Sequence, residues 1–446
     1  MDERLFERKI YQRMLEWKEE SNGRTALLVQ GARRVGKSTI VKEFAKREYS
    51  SCLFIDFSIA SKEVHDLFKD LSDLNYVFLR LQLIYAVNLK NRDSVIVFDE
   101  VQLEPLARQA IKHLVKDGRY DYIETGSLLS VRKNVQDILI PSEETRIEMH
   151  PMDYEEFRWA LGDKATIPML RTAFEHRVSL GEGVNRRLMR DFRLYMLVGG
   201  MPQAVNEYLR TNNLAKVDSV KRSILELYRE DFRKIDPTGR ASLLFSAIPS
   251  ELKKNASRYQ FSSVLPGAKR DRFLSLVSDM KDSLTVLFAY HANDPSAGMS
   301  HHEDISKYKM FLADTGLFVT LAFMDKAFTE NVIYEKLLSD KLDTDLGYLY
   351  ENAVAQTLYA NGNQLFYYTF PKESSTHHYE IDFLIAKKNK VCPIEVKSSG
   401  YKTHSSLDAF GVKYSGKTGQ RFLIYTKDIR KEGDLLFLPI YMAMFL

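Results

Sequence analysis

One octapeptide constrains this chain more than any other stretch. Gly31-Ala32-Arg33-Arg34-Val35-Gly36-Lys37-Ser38 fits the glycine-rich phosphate-loop pattern without a mismatch. It also stands where such a loop must stand. The apolar run Thr25–Gln30 reads as a strand feeding it, and Ser38–Lys46 reads as the helix leaving it. Glycines let main-chain N–H groups approach phosphate oxygens, and a helix N-terminus favours negative charge. A lysine in this position reaches the terminal phosphates, and the serine after it offers a hydroxyl to magnesium. The expected nucleotide-binding residues are therefore Gly31, Ala32, Arg33, Arg34, Val35, Gly36, Lys37, Ser38 and Thr39. Lys37 also belongs to the expected catalytic set, and ATP with Mg2+ are the expected cofactors.

The surrounding pattern agrees. Further strand-like runs follow at Ser51–Phe57, Ser94–Phe98, Tyr120–Thr125 and Thr145–His150, separated by helical spacing. Continuous apolar strands between helices predict a mainly parallel sheet covered on both faces, an α/β domain over residues 1–150. Asp99-Glu100 closes one of these strands. A carboxylate there organises magnesium, so Asp99 joins Ser38 as an expected metal residue, and Glu100 is the expected general base for water. The next strand ends Thr125-Gly126-Ser127, placing hydroxyls beside the outermost phosphate. Arg146 and Arg132 are candidates for a charge-stabilising arginine, with ordinary surface pairing as the bland alternative.

The 446 residues allow about two to four domains. Residues 151–235 turn helical and are interrupted by Gly199-Gly200-Met201-Pro202, with the proline suited to a first helical turn. Residues 236–330 hold short helices, then strand-like runs at Leu284–His291 and Tyr308–Ala313 around a polar loop or wing, Ala292–Ser306. A last unit, residues 345–446, opens with the helix Gly347–Ala360 and continues with strands around Leu365–Phe370, Glu380–Ala386, Val391–Lys397 and Arg421–Thr426. A net charge of +4 is too small to name a partner. Two distant cysteines, Cys52 and Cys392, suggest neither a disulfide framework nor a zinc site. The charged start and the lack of any long apolar run point away from membranes and toward the cytoplasm.

Along its length the chain resembles bacterial and archaeal AAA-type ATPases, related to the STAND signalling NTPases, that carry a C-terminal domain of uncharacterised function. The resemblance rests on the octapeptide, on Val97-Phe98-Asp99-Glu100-Val101-Gln102 and on Thr125-Gly126-Ser127. It continues through His150-Pro151-Met152-Asp153-Tyr154-Glu155-Glu156-Phe157 and Val198-Gly199-Gly200-Met201-Pro202-Gln203-Ala204. Phe311-Leu312-Ala313-Asp314-Thr315-Gly316-Leu317, Leu349-Tyr350-Glu351-Asn352-Ala353-Val354-Ala355, Tyr379-Glu380-Ile381-Asp382-Phe383 and Pro393-Ile394-Glu395-Val396-Lys397 complete it. It implies an AAA-type P-loop sheet over residues 1–150, a helical lid over 151–235, and a winged-helix-like domain over 236–330. It also implies that the turn at Gly200 and Pro202 packs near the nucleotide. Relatives carry Gly-Arg where this chain has Thr145-Arg146.

The tail has its own chemistry. Glu395 and Lys397 share one face of a strand because alternate side chains point the same way. With Asp382 on the preceding strand and Glu351 on the helix before it, the order is similar to the PD-(D/E)XK nuclease, or restriction-endonuclease-like, fold. Glu351, Asp382, Glu395 and Lys397 are therefore the candidate nuclease residues, with a second divalent metal as their expected cofactor. The alternative is a docking module that keeps the fold without cutting. In the middle domain Lys253, Lys254, Arg258, Lys269, Arg270, Arg272 and Lys281 outnumber the acids, and a helix starting Lys269–Phe273 is a candidate DNA contact. The paired histidines His301-His302 and His377-His378 read as solvent-facing. The expected function is an ATP-hydrolysing machine with a nuclease-like tail, acting on or near DNA. Its rivals are an ATP-gated signalling scaffold, self-associating or bound to a protein partner, and a small-molecule kinase, for which no acceptor pocket is evident.

Overall fold

Strand-forming runs can satisfy their backbone groups together in one parallel sheet, and that is how the first part of the chain is built. The computed structural model describes residues 4–126, 142–254, 258–260, 264–265, 270–301, 303–325, 329, 331–339, 347–373 and 376–446, the side chains of residues 270–274 and of Ile305 excepted. Ser127, Arg132, Lys269 and His302, with the side chains of Arg270, Asp271, Arg272 and Phe273, lie outside the described residues. Two compact units result: Met1–His150 with Asp282–Leu284, and Pro151–Lys281 with Thr285–Leu446.

The first unit runs α1 (Ile10–Ser21), β1 (Ala26–Gln30), α2 (Lys37–Glu48), β2 (Ser51–Asp56), α3 (Lys62–Leu67), α4 (Leu74–Tyr85), β3 (Ser94–Asp99), α5 (Pro105–Asp117), β4 (Asp121–Gly126) and β5 (Glu144–Glu148). The strands lie in the order β2-β3-β4-β1-β5, every pair parallel. All five strands read from the sequence are present. Strands β1, β3 and β4 are buried along their whole length; β1 and β3 read as nearly continuous apolar runs, while β4 buries Asp121, Glu124 and Thr125. Phe98, Tyr122, Phe57 and Phe68 fill the core on one side of the sheet. Helix α1 buries Met14 and Trp17, and the Trp17 indole donates to Thr25 Oγ1 at 3.3 Å, where the chain turns into β1.

The described residues of the second unit are mainly helical up to Lys281 and then join an eight-stranded mixed sheet. Its strands are β6 (Val286–Ala292), β7 (Glu303–Leu312), β8 (Leu365–Pro371), β9 (His378–Lys387), β10 (Lys390–Val396), β11 (Arg421–Tyr425), β12 (Arg430–Glu432) and β13 (Leu435–Pro439), in the order β12-β13-β11-β10-β9-β8-β6-β7. Two features differ from the sequence reading. β7 starts at Glu303, inside the expected loop; it is an edge strand, where polar residues such as Glu303 and Asp304 are tolerated. And the fully buried run Leu435–Pro439, too short to cross a membrane, is strand β13 parallel to β11. Because β6 pairs in parallel with β8, the β6–β7 hairpin continues the sheet of the tail.

The glycines of Val198–Ala204 have a packing role within this unit. Gly199 has φ 82°, and a Cβ there would stand 2.5 Å from Asp314 Oδ1. A Cβ on Gly200 would overlap the Met152 carbonyl. Asp314 accepts from the Gly200 amide at 2.6 Å and the Leu317 amide at 2.7 Å, while the buried Lys221 ammonium donates to the carbonyls of Leu197 at 2.5 Å and Gly316 at 3.2 Å. Main-chain approach this close leaves no room for a side chain. Gly200→Ala should therefore lose about 3 kcal/mol in denaturant unfolding. Gly183→Ala, in a helix where a Cβ meets nothing, should be neutral or stabilising by up to about 1 kcal/mol.

Candidate functional site

The strand order explains the site. β4 lies between β1 and β3, so the loop after β1 and the carboxyl ends of β3 and β4 open on the same edge of the sheet, the edge where open α/β sheets bind ligands. In the loop, Arg34 has φ 71° and Gly36 has φ 100°. Alternation of hand turns successive N–H groups inward, as an anion-binding nest requires. Gly31 has no room for a Cβ, which would run into the Met149 carbonyl. Arg8, ahead of α1, is buried and donates to the carbonyls of Val35 at 2.9 Å and His150 at 2.6 Å, fastening the loop to the end of β5.

Lys37 opens α2 and is 7% exposed. Its ammonium donates to the carbonyls of Gly31 at 2.9 Å and Ala32 at 3.0 Å, folded back over the loop's own backbone. Burial pushes its pKa down to about 8, against the opposing pull of Glu100 and Asp99. Ser38 Oγ donates to Asp99 Oδ1 at 2.7 Å. Thr125, fully buried at the end of β4, donates its hydroxyl to the same Asp99 oxygen. The phosphate loop's helix and strand β4 thus converge on the carboxylate that ends β3.

Glu100 takes up a left-handed backbone, φ 54°, as the chain leaves β3. Its amide donates to Thr125 Oγ1 at 3.3 Å, and the Gln102 amide group holds its carboxylate. The donor set suits a magnesium–nucleotide complex: one hydroxyl and one carboxylate for the metal, whose other ligands come from phosphate and water. Among the described residues no three His, Cys, Asp or Glu side chains could by themselves hold a metal ion.

Arg146 lies on edge strand β5, 46% exposed, with Nε 2.6 Å from Glu144 Oε1. The other Glu144 oxygen meets the buried Arg108 at 2.8 Å, and Arg108 also faces Glu124, whose carboxyl is pushed well above its usual range by burial. Pro202 opens the helix Pro202–Thr211 in the second unit.

The four tail candidates meet at one end of the second unit's sheet. Asp382 on β9 lies within the fields of Glu351 and Glu395, and its carboxyl is raised well above the usual range by burial and by Glu351. Its Oδ2 accepts the Val396 amide at 2.7 Å. Lys397 pairs with Glu395 at 2.8 Å. Two residues here escaped the sequence reading. Glu380 and Lys309 form an ion pair, and Lys309 also stands 3.9 Å from Glu351. A lysine inside the apolar run Tyr308–Ala313 was the available signal for the second. Arg8 and Gln102 were likewise not assigned roles; Gln102 stands in a quoted motif, while Arg8 is one of many charges in its segment.

Family comparisons place these sites in separate segments. Residues 23–158 match the family described as an AAA domain, residues 189–327 a domain of unknown function (DUF8612), and residues 346–442 another domain of unknown function (DUF4143). Comparison with curated proteins gave no match. Among solved structures the chain is similar to the Walker-type ATPase PABY2304 of Pyrococcus abyssi (16% identity, TM-score 0.41, covering 71% of this chain and 96% of that one). It is also similar to Cdc6p from Pyrobaculum aerophilum (14% identity, TM-score 0.25, covering 75% and 94%). These are distant likenesses. The AAA-domain match falls on the parallel sheet of the first unit, whose five-stranded order fits a P-loop NTPase fold. Among the described residues no helix is long and apolar enough to cross a membrane.

The lowered Lys37 pKa has a measurable consequence. A polyphosphate beside Lys37 returns its pKa toward the usual range, so binding takes up a proton where the free lysine is partly neutral. Calorimetry in buffers of different ionisation enthalpy should show uptake of roughly half a proton at pH 8, with affinity falling as the pH rises further. Lys37→Arg should abolish the uptake.

Proposed function

We propose that this chain binds ATP with Mg2+ and hydrolyses it. The observation carrying the proposal is the contact of Ser38 with Asp99, which puts the phosphate loop and the acidic strand end within hydrogen-bond reach. The amides of residues 31–38 and the Lys37 ammonium hold the phosphates, Thr39 extends the binding helix, and Ser38 and Asp99 hold the metal. Bound Mg2+ neutralises charge on the phosphate oxygens. Glu100, presented by its left-handed turn and steadied by Gln102, receives the proton of the attacking water. Thr125 positions the carboxylate of Asp99 and stands beside the reacting phosphate. Arg146 is the proposed charge-stabilising arginine, and its pairing with Glu144 is the state from which it moves. Pro202 and the glycine turn before it are proposed to respond to the nucleotide.

We extend this to coupling: nucleotide state governs the tail domain, which works on or near DNA. What supports it is the element order of the tail, helix, three strands, helix, three strands, and the meeting of Glu351, Asp382, Glu395 and Lys397 within it. A second reading, a signalling scaffold with a non-cleaving tail, is favoured by the ion pairs of Lys309 with Glu380 and Glu351, which set a cation of the chain's own beside the candidate carboxylates.

Two experiments separate the parts. Lys37→Ala should abolish nucleotide binding, whereas Glu100→Gln should bind ATP and lose about 10²–10⁴-fold in turnover. Lys37→Ala hydrolysing ATP at the parental rate would remove the proposal. DNA incubated with Mn2+ and ATP distinguishes the tail readings. Cutting by the parent but not by Asp382→Ala or Lys397→Ala supports a nuclease, and no cutting of varied DNA forms supports the scaffold.

A further inference from the structure

The acidic cluster of the tail contains a cation of its own. Lys309 reaches it from edge strand β7, its side chain 6% exposed. The ammonium is bonded to Glu380, stands 3.9 Å from Glu351, and lies 5.5 Å from the centre of the buried Tyr367 ring. Burial alone would lower the Lys309 pKa; Glu380, Glu351 and Asp382 outweigh it and keep the group charged. A buried ammonium without acids, or buried acids without a cation, would be strongly destabilising, so each side of the cluster requires the other.

Two independent anchors hold the lysine in place. Lys309 is registered opposite Ala289 of β6, and Ala289 in turn pairs with Leu365 of β8. At the end of β7, Leu312 exchanges both main-chain hydrogen bonds with the Asn352 side chain, at 2.8 and 3.1 Å. Asn352 directly follows Glu351, so the strand bearing the cation is stitched to the helix bearing one of its acids. The cation and the acids also come from segments that match different families: residues 189–327 contain Lys309, and residues 346–442 contain Glu351, Glu380, Asp382 and Glu395.

We propose that Lys309 is the resident cation of the tail cluster, standing where a divalent metal would otherwise sit, so that the intact chain binds no metal there. The expected second metal therefore does not fit the residues present. A divalent ion needs oxygens at about 2.3 Å for Ca2+ or 2.0–2.1 Å for Mg2+. Placed between Glu351 and Asp382, it would face the buried Lys309 ammonium, which stands 3.9 Å from Glu351, and the two like charges would repel. The inference rests on the scaffold reading, but tests a different quantity, metal occupancy and not DNA cutting.

The test counts Mn2+ bound to the nucleotide-free, full-length chain by electron paramagnetic resonance. The parent and Lys309→Arg should bind no Mn2+ that Asp382→Asn removes. Lys309→Met should gain one Mn2+ per chain, lost again in Lys309→Met/Asp382→Asn. Lys309→Met should also melt lower than the parent, and saturating Mn2+ should raise its melting temperature by roughly 5 °C without moving that of the parent. If Lys309→Met folds only when Mn2+ is present, the proposal is supported. Asp382-dependent Mn2+ on the parent overturns it, as does a Lys309→Met chain that gains neither bound metal nor metal-dependent stability. DNA cutting by the parent with no metal at Asp382 would instead overturn the scaffold reading alone.

Discussion

One carboxylate oxygen organises the first unit. Asp99 Oδ1 receives the hydroxyl of Ser38 from the phosphate loop and that of Thr125 from the neighbouring strand. This convergence requires β4 between β1 and β3, which follows from β1 lying between β4 and β5 instead of beside β2. The rest of the site follows. Glu100 must leave the strand in a left-handed turn to clear the cluster, and its amide then meets Thr125. Lys37 folds onto the carbonyls of Gly31 and Ala32, over the loop itself. A charged lysine buried to this degree pays a desolvation cost that an anionic ligand removes.

The second unit uses similar economy for a different end. Its glycine–proline turn, its Asp314–Gly316 segment and its helix Gly347–Ala360 form one hydrogen-bonded clasp. Asp314 holds the Gly200 amide, Gln356 accepts from the Thr315 amide and donates to the Tyr195 hydroxyl, and Asn352 brackets Leu312. The short motifs around Gly199, Asp314 and Asn352 are thus accounted for by packing and backbone satisfaction inside this unit. Lys309 and Glu351 are carried by the elements that Asn352 ties together, which gives the acidic cluster a fixed geometry.

The legible parts of the sequence were those where local chemistry decides. Apolar stretches marked β1, β3 and β4, because a strand covered on both faces has few polar positions, whereas the edge strands β2 and β5 are only partly buried. The octapeptide and Asp99-Glu100 were legible because a phosphate loop needs glycine, lysine and a hydroxyl in fixed order. What escaped were long-range partners. Arg8 meets Val35 and His150 across the fold, and nothing in its local sequence sets it apart from Arg4 or Arg13. Lys309 could be noticed as a charge in an apolar strand, but its partners Glu351 and Glu380 lie many residues downstream and depend on β6 pairing with β8. The edge strand β7 was read short because exposed edges carry polar residues that look like loop.

The central claim is that Asp99 organises the metal of a nucleotide held by the loop at residues 31–38. Equilibrium titration of ATP with and without Mg2+, on the parent and on Asp99→Asn, tests it most directly. Mg2+ should tighten binding to the parent by roughly tenfold or more and leave Asp99→Asn almost unaffected, with metal-free affinities alike. An Asp99→Asn chain that kept the full gain from Mg2+ would contradict the account.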